Sequence, residues 1–140
     1  MTARLALAVA LIAVAAVIAW VLDRRRRPAP PAQGSATVPR QLDRDDFPEP
    51  AAPWLVVLWS SRTCESCRGL YEKIAPLASA DVAVAEVEYQ TDPDLHTRYA
   101  IDAAPITIVV DAQGVTRASF AGAFDAAELW ATVADLRAGG

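Results

Sequence analysis

The sequence Thr63-Cys64-Glu65-Ser66-Cys67-Arg68 contains the only two cysteines of the chain, separated by two residues. An apolar run from Trp54 to Trp59 precedes it and predicts a strand that is covered on both faces. Further apolar residues follow at the spacing of one helical stripe, namely Cys67, Leu70, Tyr71, Ile74 and Leu77. We therefore predict a helix from about Cys64 to about Ala78, with the cysteines where the strand passes into it.

This position favours redox chemistry at the cysteine pair. The first N–H groups of a helix are unpaired and its dipole is positive there, so the thiolate of Cys64 is expected to be stabilised. Cys67, one helical turn later, is placed to attack a mixed disulfide on Cys64. The pattern predicts dithiol–disulfide exchange, with Cys64 as the nucleophile and Cys67 as the resolving thiol.

Two other uses of the pair are conceivable. A closed zinc site needs about four ligands, and the chain offers one histidine, His96, and no further cysteine. A structural disulfide is the other alternative, but a bridge that closes so short a loop removes little chain entropy. Redox exchange is the favoured interpretation, and no metal or bound cofactor is expected.

Charge limits the possible partners. The chain has 140 residues, the length of one domain. Beyond Arg27 it carries 16 acidic and 8 basic residues, a net charge of −8. Nucleic acid is therefore not an expected partner.

The N-terminal residues predict a membrane anchor. Leu5 to Leu22 is an apolar run of 18 residues, about 27 Å long as a helix, against a hydrocarbon core of about 30 Å. A cleaved signal peptide is the alternative, but its apolar region is usually about 7–15 residues long. An ordinary buried core helix fits less well, because this run is apolar all round and a linker joins it to the rest of the chain. Four arginines at 24–27 favour a single-pass protein of the cell membrane with its domain in the cytoplasm. The extracytoplasmic face is the alternative.

Three regions follow from these patterns. Residues 1–27 are the predicted anchor with its arginine-rich flank. Residues 28–39 are rich in proline and alanine and predict an extended linker of about 35 Å. Residues 40–140 are the predicted domain.

The domain alternates strand and helix patterns. A short edge strand or turn is expected at Arg40–Phe47, strands at Val82–Tyr89, Ile106–Val110 and Val115–Phe120, and a short helix or turn at Asp92–Tyr99. Asp125 is expected to cap a last helix, Ala126–Arg137, whose inward residues are Leu129, Trp130, Val133 and Leu136. His96 is expected on the surface. The fold class is α/β, a central mixed sheet flanked by helices.

From about Arg40 to Leu136 the chain resembles the thioredoxin-fold family. The first shared feature is the strand, the Cys-Glu-Ser-Cys motif and the helix. The second is the segment Arg98 to Thr107, which contains Ala104-Pro105 and is similar to the family's cis-proline segment. The third is Asp111 to Gly114 followed by Gly122, which is similar to the family's terminal hairpin and the glycine before its last helix.

This resemblance implies a substrate site. Pro105 would be cis and lie opposite the dithiol, leaving the backbone of Ala104 free to pair with an extended substrate. Gly122 would keep the far wall of the groove low. Thr63, which stands where thioredoxins have tryptophan, would complete the substrate contacts. The implied partners are protein disulfides and a thiol electron donor.

Departures from the family pattern concern proton transfer. Leu58 falls where thioredoxins have a buried aspartate, and Ser60 falls on their conserved tryptophan. Glu86 falls on a strand position where they have a lysine. We hypothesise that Glu86 replaces the aspartate as proton acceptor for Cys67. The alternative is a solvated strand residue.

The expected function is that of a membrane-tethered thiol–disulfide oxidoreductase that reduces protein disulfides. Glu65 lies beside Cys64 and opposes its ionisation, which favours a reductant over a strong oxidant. A redox-silent thioredoxin-fold module for binding or assembly, and an extracytoplasmic disulfide oxidase or isomerase, are the alternatives.

Overall fold

The computed structural model describes residues 13–18 and 37–139, which belong to two separate units. Residues 13–18 are helical and their side chains are exposed. The rest of the predicted span from Leu5 to Leu22, and the linker from 28 to 36, lie outside the described residues. Among the residues that are described, no helix has the length and apolar character needed to cross a membrane.

In the described part of the chain, four strands form one mixed sheet: β1 (Trp54–Ser60), β2 (Val82–Glu88), β3 (Ile106–Val110) and β4 (Thr116–Ala121). Their order across the sheet is β2-β1-β3-β4. β1 is parallel to β2 and antiparallel to β3, and β3 is antiparallel to β4. The prediction of a mixed α/β fold is confirmed.

The apolar run of β1 occupies the centre of this sheet. Because successive side chains of a strand point to opposite faces, β1 contributes to two cores. Leu55, Val57 and Trp59 lie in one cluster, and Val56 and Leu58 lie in the other. All five are inaccessible to solvent, so this strand is covered on both faces, as its composition predicts.

Within residues 37–139, three α-helices flank the sheet: α1 (Tyr71–Ile74), α2 (Pro93–Arg98) and α3 (Ala126–Gly139). Short 3₁₀ turns occupy Arg44–Asp46, Glu65–Cys67 and Ala75–Leu77. Asp125 caps α3, because its Oδ1 accepts the N–H of Ala127 at 2.8 Å. Leu129 and Val133 of α3 are buried.

The prediction of one helix from Cys64 to Ala78 is wrong. Cys64 precedes a three-residue 3₁₀ turn, and α1 begins only at Tyr71. Gly69 separates the two because its φ is +70°, a left-handed conformation that an α-helix cannot contain. The apolar spacing is nevertheless met at Cys67, Leu70 and Ile74, which are all buried.

Two aromatic residues expected to face inward are exposed. Tyr71 is 41% exposed and Trp130 is 42% exposed. The indole N–H of Trp130 donates to the carbonyl of Lys73 at 2.7 Å, so the ring lies across the outside of α1. A tryptophan can satisfy its polar edge in this way while part of its ring stays in water.

The segment before β1 is joined to the β3–β4 turn. Gln41 forms an isolated antiparallel bridge with Val115, and the N–H of Leu42 donates to the carbonyl of Gly114 at 2.8 Å. The buried guanidinium of Arg44 donates to the carbonyls of Ala52 and Asp111 at 2.9 and 3.1 Å. The predicted edge strand or turn at this place is a bridge followed by a 3₁₀ turn.

Candidate active site

Cys64 and Cys67 are joined by a disulfide, with their Cα atoms 5.4 Å apart. The 3₁₀ turn brings them together, since the N–H of Cys67 donates to the carbonyl of Cys64 at 3.2 Å. Their exposure differs. Cys64 is half-buried, whereas Cys67 is only 8% exposed. A partner molecule can therefore reach the sulfur of Cys64 more easily than that of Cys67.

Charged side chains, more than a helix dipole, determine the electrostatic environment of the cysteine pair. Arg62 Nε lies 2.8 Å from Glu88 Oε1, and Arg68 lies 3.1 Å from Glu65. The side chains of Glu65 and Arg68 are 84% and 78% exposed, so this ion pair is weak and screened by solvent. A three-residue turn also lacks the aligned peptides of a long helix, so its dipole contributes less at Cys64 than a long helix would.

A first groove, which we call the carboxylate groove, lies on one side of the disulfide. Its volume is about 250 Å³, and its lining includes both cysteines, Glu86 and Glu88. Glu86 is on β2 and its carboxylate accepts a hydrogen bond from Ser60 Oγ at 2.6 Å. The structure thus brings Glu86 into the same groove as Cys67.

A second groove, the tyrosine groove, is lined by Cys64 but not by Cys67. It measures about 610 Å³ and is lined by Thr63, Tyr89, Asp102 and Ala104 among others. Tyr89 is 51% exposed, so its ring presents both an apolar face and a hydroxyl to this groove. Thr63 and Ala104, two of the predicted substrate residues, therefore share a surface with Cys64.

The Ala104–Pro105 peptide bond is cis. Pro105 is buried and Ala104 is exposed, and the registered pairs of β3 begin only at Ile106. The N–H of Gly122 donates to the carbonyl of Pro105 at 2.8 Å, which fixes the two segments side by side. Gly122 has φ +86°, and a Cβ at this position would meet no atom within 4 Å.

The expectation that His96 is a surface residue is wrong. His96 lies in α2 and is only 4% exposed. Its Nε2 is 3.1 Å from the carbonyl of Val87 and its Nδ1 is 3.4 Å from that of Ile101. The ring also packs edge-on against Trp59 at a centroid distance of 5.0 Å. His96 therefore connects β2 to the segment that leads to Pro105. The sequence pattern around one histidine does not indicate such a contact.

The sequence patterns also do not predict that Ser60 contacts Glu86. It is 2% exposed at the end of β1 and bonds to Glu86. Alternation along β1 does place it on the face of Val56 and Leu58, so a signal was present. The contact itself depends on the parallel register, which pairs Leu58 with Glu86.

Comparisons with known proteins agree with this geometry. A family model described as thioredoxin matches residues 43–135. A thioredoxin from Fasciola hepatica is 24% identical, with a TM-score of 0.52 over 62% of this chain and 84% of its own. Thioredoxin f2 from Chlamydomonas reinhardtii is 23% identical, with a TM-score of 0.51 over 66% of this chain and 91% of its own.

The solved structure of a malarial protein is 13% identical to this chain, with a TM-score of 0.53; the match covers 59% of this chain and 96% of the malarial chain. At these identities the solved structures show the fold alone. No curated protein matches the chain. Because the family model covers more than half of the sequence, including the cysteine pair and the cis-proline segment, the chain belongs to the thioredoxin family.

Proposed function

We propose that the chain is a thiol–disulfide oxidoreductase that reduces protein disulfides through Cys64 and Cys67. The observation that carries this proposal is the difference in exposure within the pair. Cys64 is half-buried and lines both grooves, whereas Cys67 is 8% exposed and lines only the carboxylate groove. This arrangement suits an attacking thiol in front of a resolving one.

The reaction consists of two exchanges. The Cys64 thiolate attacks one sulfur of a client disulfide, so that a mixed disulfide forms and the other client sulfur leaves as a thiolate. Cys67 then loses its proton and attacks Cys64, which releases the second client sulfur and leaves the Cys64–Cys67 disulfide. The client gains two electrons and two protons, and Glu86 is the proposed acceptor of the Cys67 proton. A thiol donor returns the pair to the reduced state.

Client binding is assigned to the surface around Ala104. An extended client strand pairs with the exposed backbone of Ala104, next to buried Pro105. Thr63 lines the groove at Cys64. Gly122 is bonded to the carbonyl of Pro105, and a Cβ there would lie in open space, so this glycine is proposed to keep the edge beside Pro105 low. Such pairing reads the backbone of the client, so a broad range of protein disulfides would be accepted.

The proposed direction, reduction, follows from the charges near the pair. Glu72, Glu86 and Glu88 line the carboxylate groove against Arg62 and Arg68, and this excess of negative charge disfavours a thiolate. A less stabilised thiolate makes the reduced form a better electron donor. Equilibration with glutathione should therefore place the potential of the pair below that of the glutathione couple, and a higher potential would contradict this direction.

The central test traps the mixed disulfide. Cys67→Ser should accumulate client proteins on Cys64, and Cys64→Ser is the matched control that should accumulate none. The unaltered chain should reduce insulin disulfides, and both variants should be inactive in turnover. Equal trapping by the two variants would contradict the roles assigned here, and an unreactive Cys64 would favour the binding or assembly module.

We also propose that residues 5–22 anchor the chain in the cell membrane and residues 28–39 tether the domain, which faces the cytoplasm. The support is the length of the apolar run and the four arginines after it. Replacement of Leu11 by arginine should release the chain from membranes in alkaline extraction. A membrane-impermeant maleimide should label reduced Cys64 only after the cells are broken, and labelling of intact cells would indicate the opposite orientation.

A further inference from the structure

We propose that Ser60 is the positioning residue that holds the Glu86 carboxylate ready to take the proton of Cys67. The inference rests on the proposed function, since it concerns the second of the two exchanges. Ser60 ends β1, on the face that also carries Leu58. The parallel register places Glu86 directly across from Leu58, and Ser60 Oγ donates to Glu86 Oε1 at 2.6 Å.

The second exchange needs a proton acceptor. A cysteine thiol ionises near pH 8.5 in water, so most of it is protonated at neutral pH. Cys67 is 8% exposed, and water reaches its sulfur poorly. Leu58, inaccessible to solvent on the same face of the sheet, offers no polar group. A carboxylate of the carboxylate groove is the stronger base available to Cys67, and Cys67 and Glu86 both line the wall of this groove.

Glu86 differs from the other carboxylates near the pair in what it binds. Glu88 accepts from Arg62 at 2.8 Å and from Thr91 at 3.3 Å, and Glu65 pairs with Arg68 at 3.1 Å. Protonation of either would break an ion pair. Glu72, which also lines the groove, has neither an ion pair nor a side-chain hydrogen bond among the described residues, so nothing fixes its carboxylate. Glu86 likewise forms no ion pair within the described part of the chain, but the neutral hydroxyl of Ser60 holds it. Glu86 can accept a proton without losing a charged partner.

Glu86 needs a fixed position because its residue is exposed and a free glutamate side chain samples several rotamers. Arg62 and Arg68 line the same groove and would attract a carboxylate that is not held. Ser60 is a rigid anchor, since it is 2% exposed and its carbonyl accepts the N–H of Tyr89 at 2.9 Å. Its hydroxyl holds one carboxylate oxygen and leaves the other available to the groove.

One proton leaves Cys67 during the second exchange and ends on the client or in water. The S–H proton of Cys67 passes to Glu86 as the Cys67 sulfur bonds to the Cys64 sulfur. The bond between Cys64 and the client sulfur breaks, and the client leaves as a thiolate. Glu86 then gives its proton to that thiolate or to water in the groove. No oxidant or reductant beyond the client disulfide and the reduced pair takes part.

The test separates the two exchanges. Reduced full-length protein is mixed with dithiodipyridine, which releases one thiopyridone when Cys64 attacks and a second when Cys67 resolves the mixed disulfide. Near pH 7, Ser60→Ala and Glu86→Gln should slow the second release about a hundredfold, the lower end of what a positioned proton acceptor contributes. Neither variant should slow the first release, and Ser60→Thr, which keeps the hydroxyl, should recover most of the rate of the second.

Two comparisons distinguish a role in proton transfer from a general effect on the structure. Near pH 10, where a thiol ionises unaided, the variants should match the unaltered protein. Glu88→Gln removes a charge from the same groove but not the proposed proton acceptor, so it should change the second release far less than Glu86→Gln does. An unchanged second release in Ser60→Ala, a loss that persists near pH 10, or an equal loss in Glu88→Gln would overturn the role of Ser60. A chain that releases no thiopyridone at all would refute the proposed function itself.

Discussion

Gly114→Ala should destabilise the domain by about 2–4 kcal/mol, because the added methyl group collides with the backbone of another segment. A Cβ built on Gly114 lies 1.9 Å from the carbonyl oxygen of Leu42, and such contacts essentially never occur below 3.0 Å. The oxygen would have to retreat by more than about 1 Å. That movement disrupts the hydrogen bond from Leu42 N–H to the Gly114 carbonyl, which is 2.8 Å long.

The expected magnitude has two parts. A non-glycine residue at φ +77° costs about 1–2 kcal/mol in conformational energy. Loss of a hydrogen bond at Leu42, which is 1% exposed, adds about 1–2 kcal/mol. Gly69→Ala is the matched control, because Gly69 has φ +70° but its Cβ would meet nothing within 4 Å. Gly69→Ala should therefore lose only the conformational energy of about 1–2 kcal/mol from its free energy of unfolding.

Urea unfolding followed by tryptophan fluorescence measures both variants, since Trp59 is fully buried in the native state. We expect Gly114→Ala to fall at least about 1 kcal/mol below Gly69→Ala in free energy of unfolding. If the two variants lose equal stability, the Leu42 segment moves aside at no cost. The reasoning that this turn and the N-terminal segment are held against each other would then be refuted.

Three further substitutions test the scaffold. Burial opposes ionisation of Asp111, but hydrogen bonds from Val115 N–H, Arg117 and Gln113 N–H outweigh it and lower the pKa of Asp111. The charge of Asp111 therefore stabilises the fold above about pH 4, and this stabilisation is lost as the pH falls through the lowered pKa. Asp111→Asn should reduce the free energy of unfolding by about 1–3 kcal/mol at pH 7, as measured by urea unfolding. The difference from the unaltered protein should become smaller in acid. His96→Phe keeps the ring but loses the contacts to two carbonyls, so it should cost about 1–3 kcal/mol and speed amide hydrogen exchange at residues 101–104. Ala100→Gly removes a residue with φ +52° and should raise the free energy of unfolding by about 0.5–1 kcal/mol, whereas a loss would show that Ala100 is unstrained.

The strands could be predicted because burial determines them. The continuous apolar run of β1 requires cover on both faces, and the structure gives it that cover. The helix after the cysteines could not be predicted in the same way. Its apolar spacing is satisfied at Leu70 and Ile74, yet Gly69 breaks the chain into two short pieces. An apolar pattern reports which side chains are buried, and both a continuous and a broken helix can bury the same ones.

The polar contacts of the site were harder to predict because each joins residues that are distant in sequence. Ser60 and Glu86 are 26 residues apart, and a shift of the β1–β2 register by one residue would turn Glu86 to the opposite face. His96 is buried because two backbone carbonyls and an aromatic ring surround it, which the local sequence does not reveal.

The broken helix also changes where the chemistry of the pair must be sought. A long helix would bring its own positive end to Cys64, and the side chains would then be secondary. The three-residue turn brings little of this field, so the charged side chains around the disulfide carry more weight. Most of these are exposed or already paired, as Arg62 is with Glu88. Among the residues that the structure describes, Ser60 and Glu86 form a contact that joins a buried anchor to a carboxylate with no charged partner, and for that reason the control of proton transfer is assigned to them.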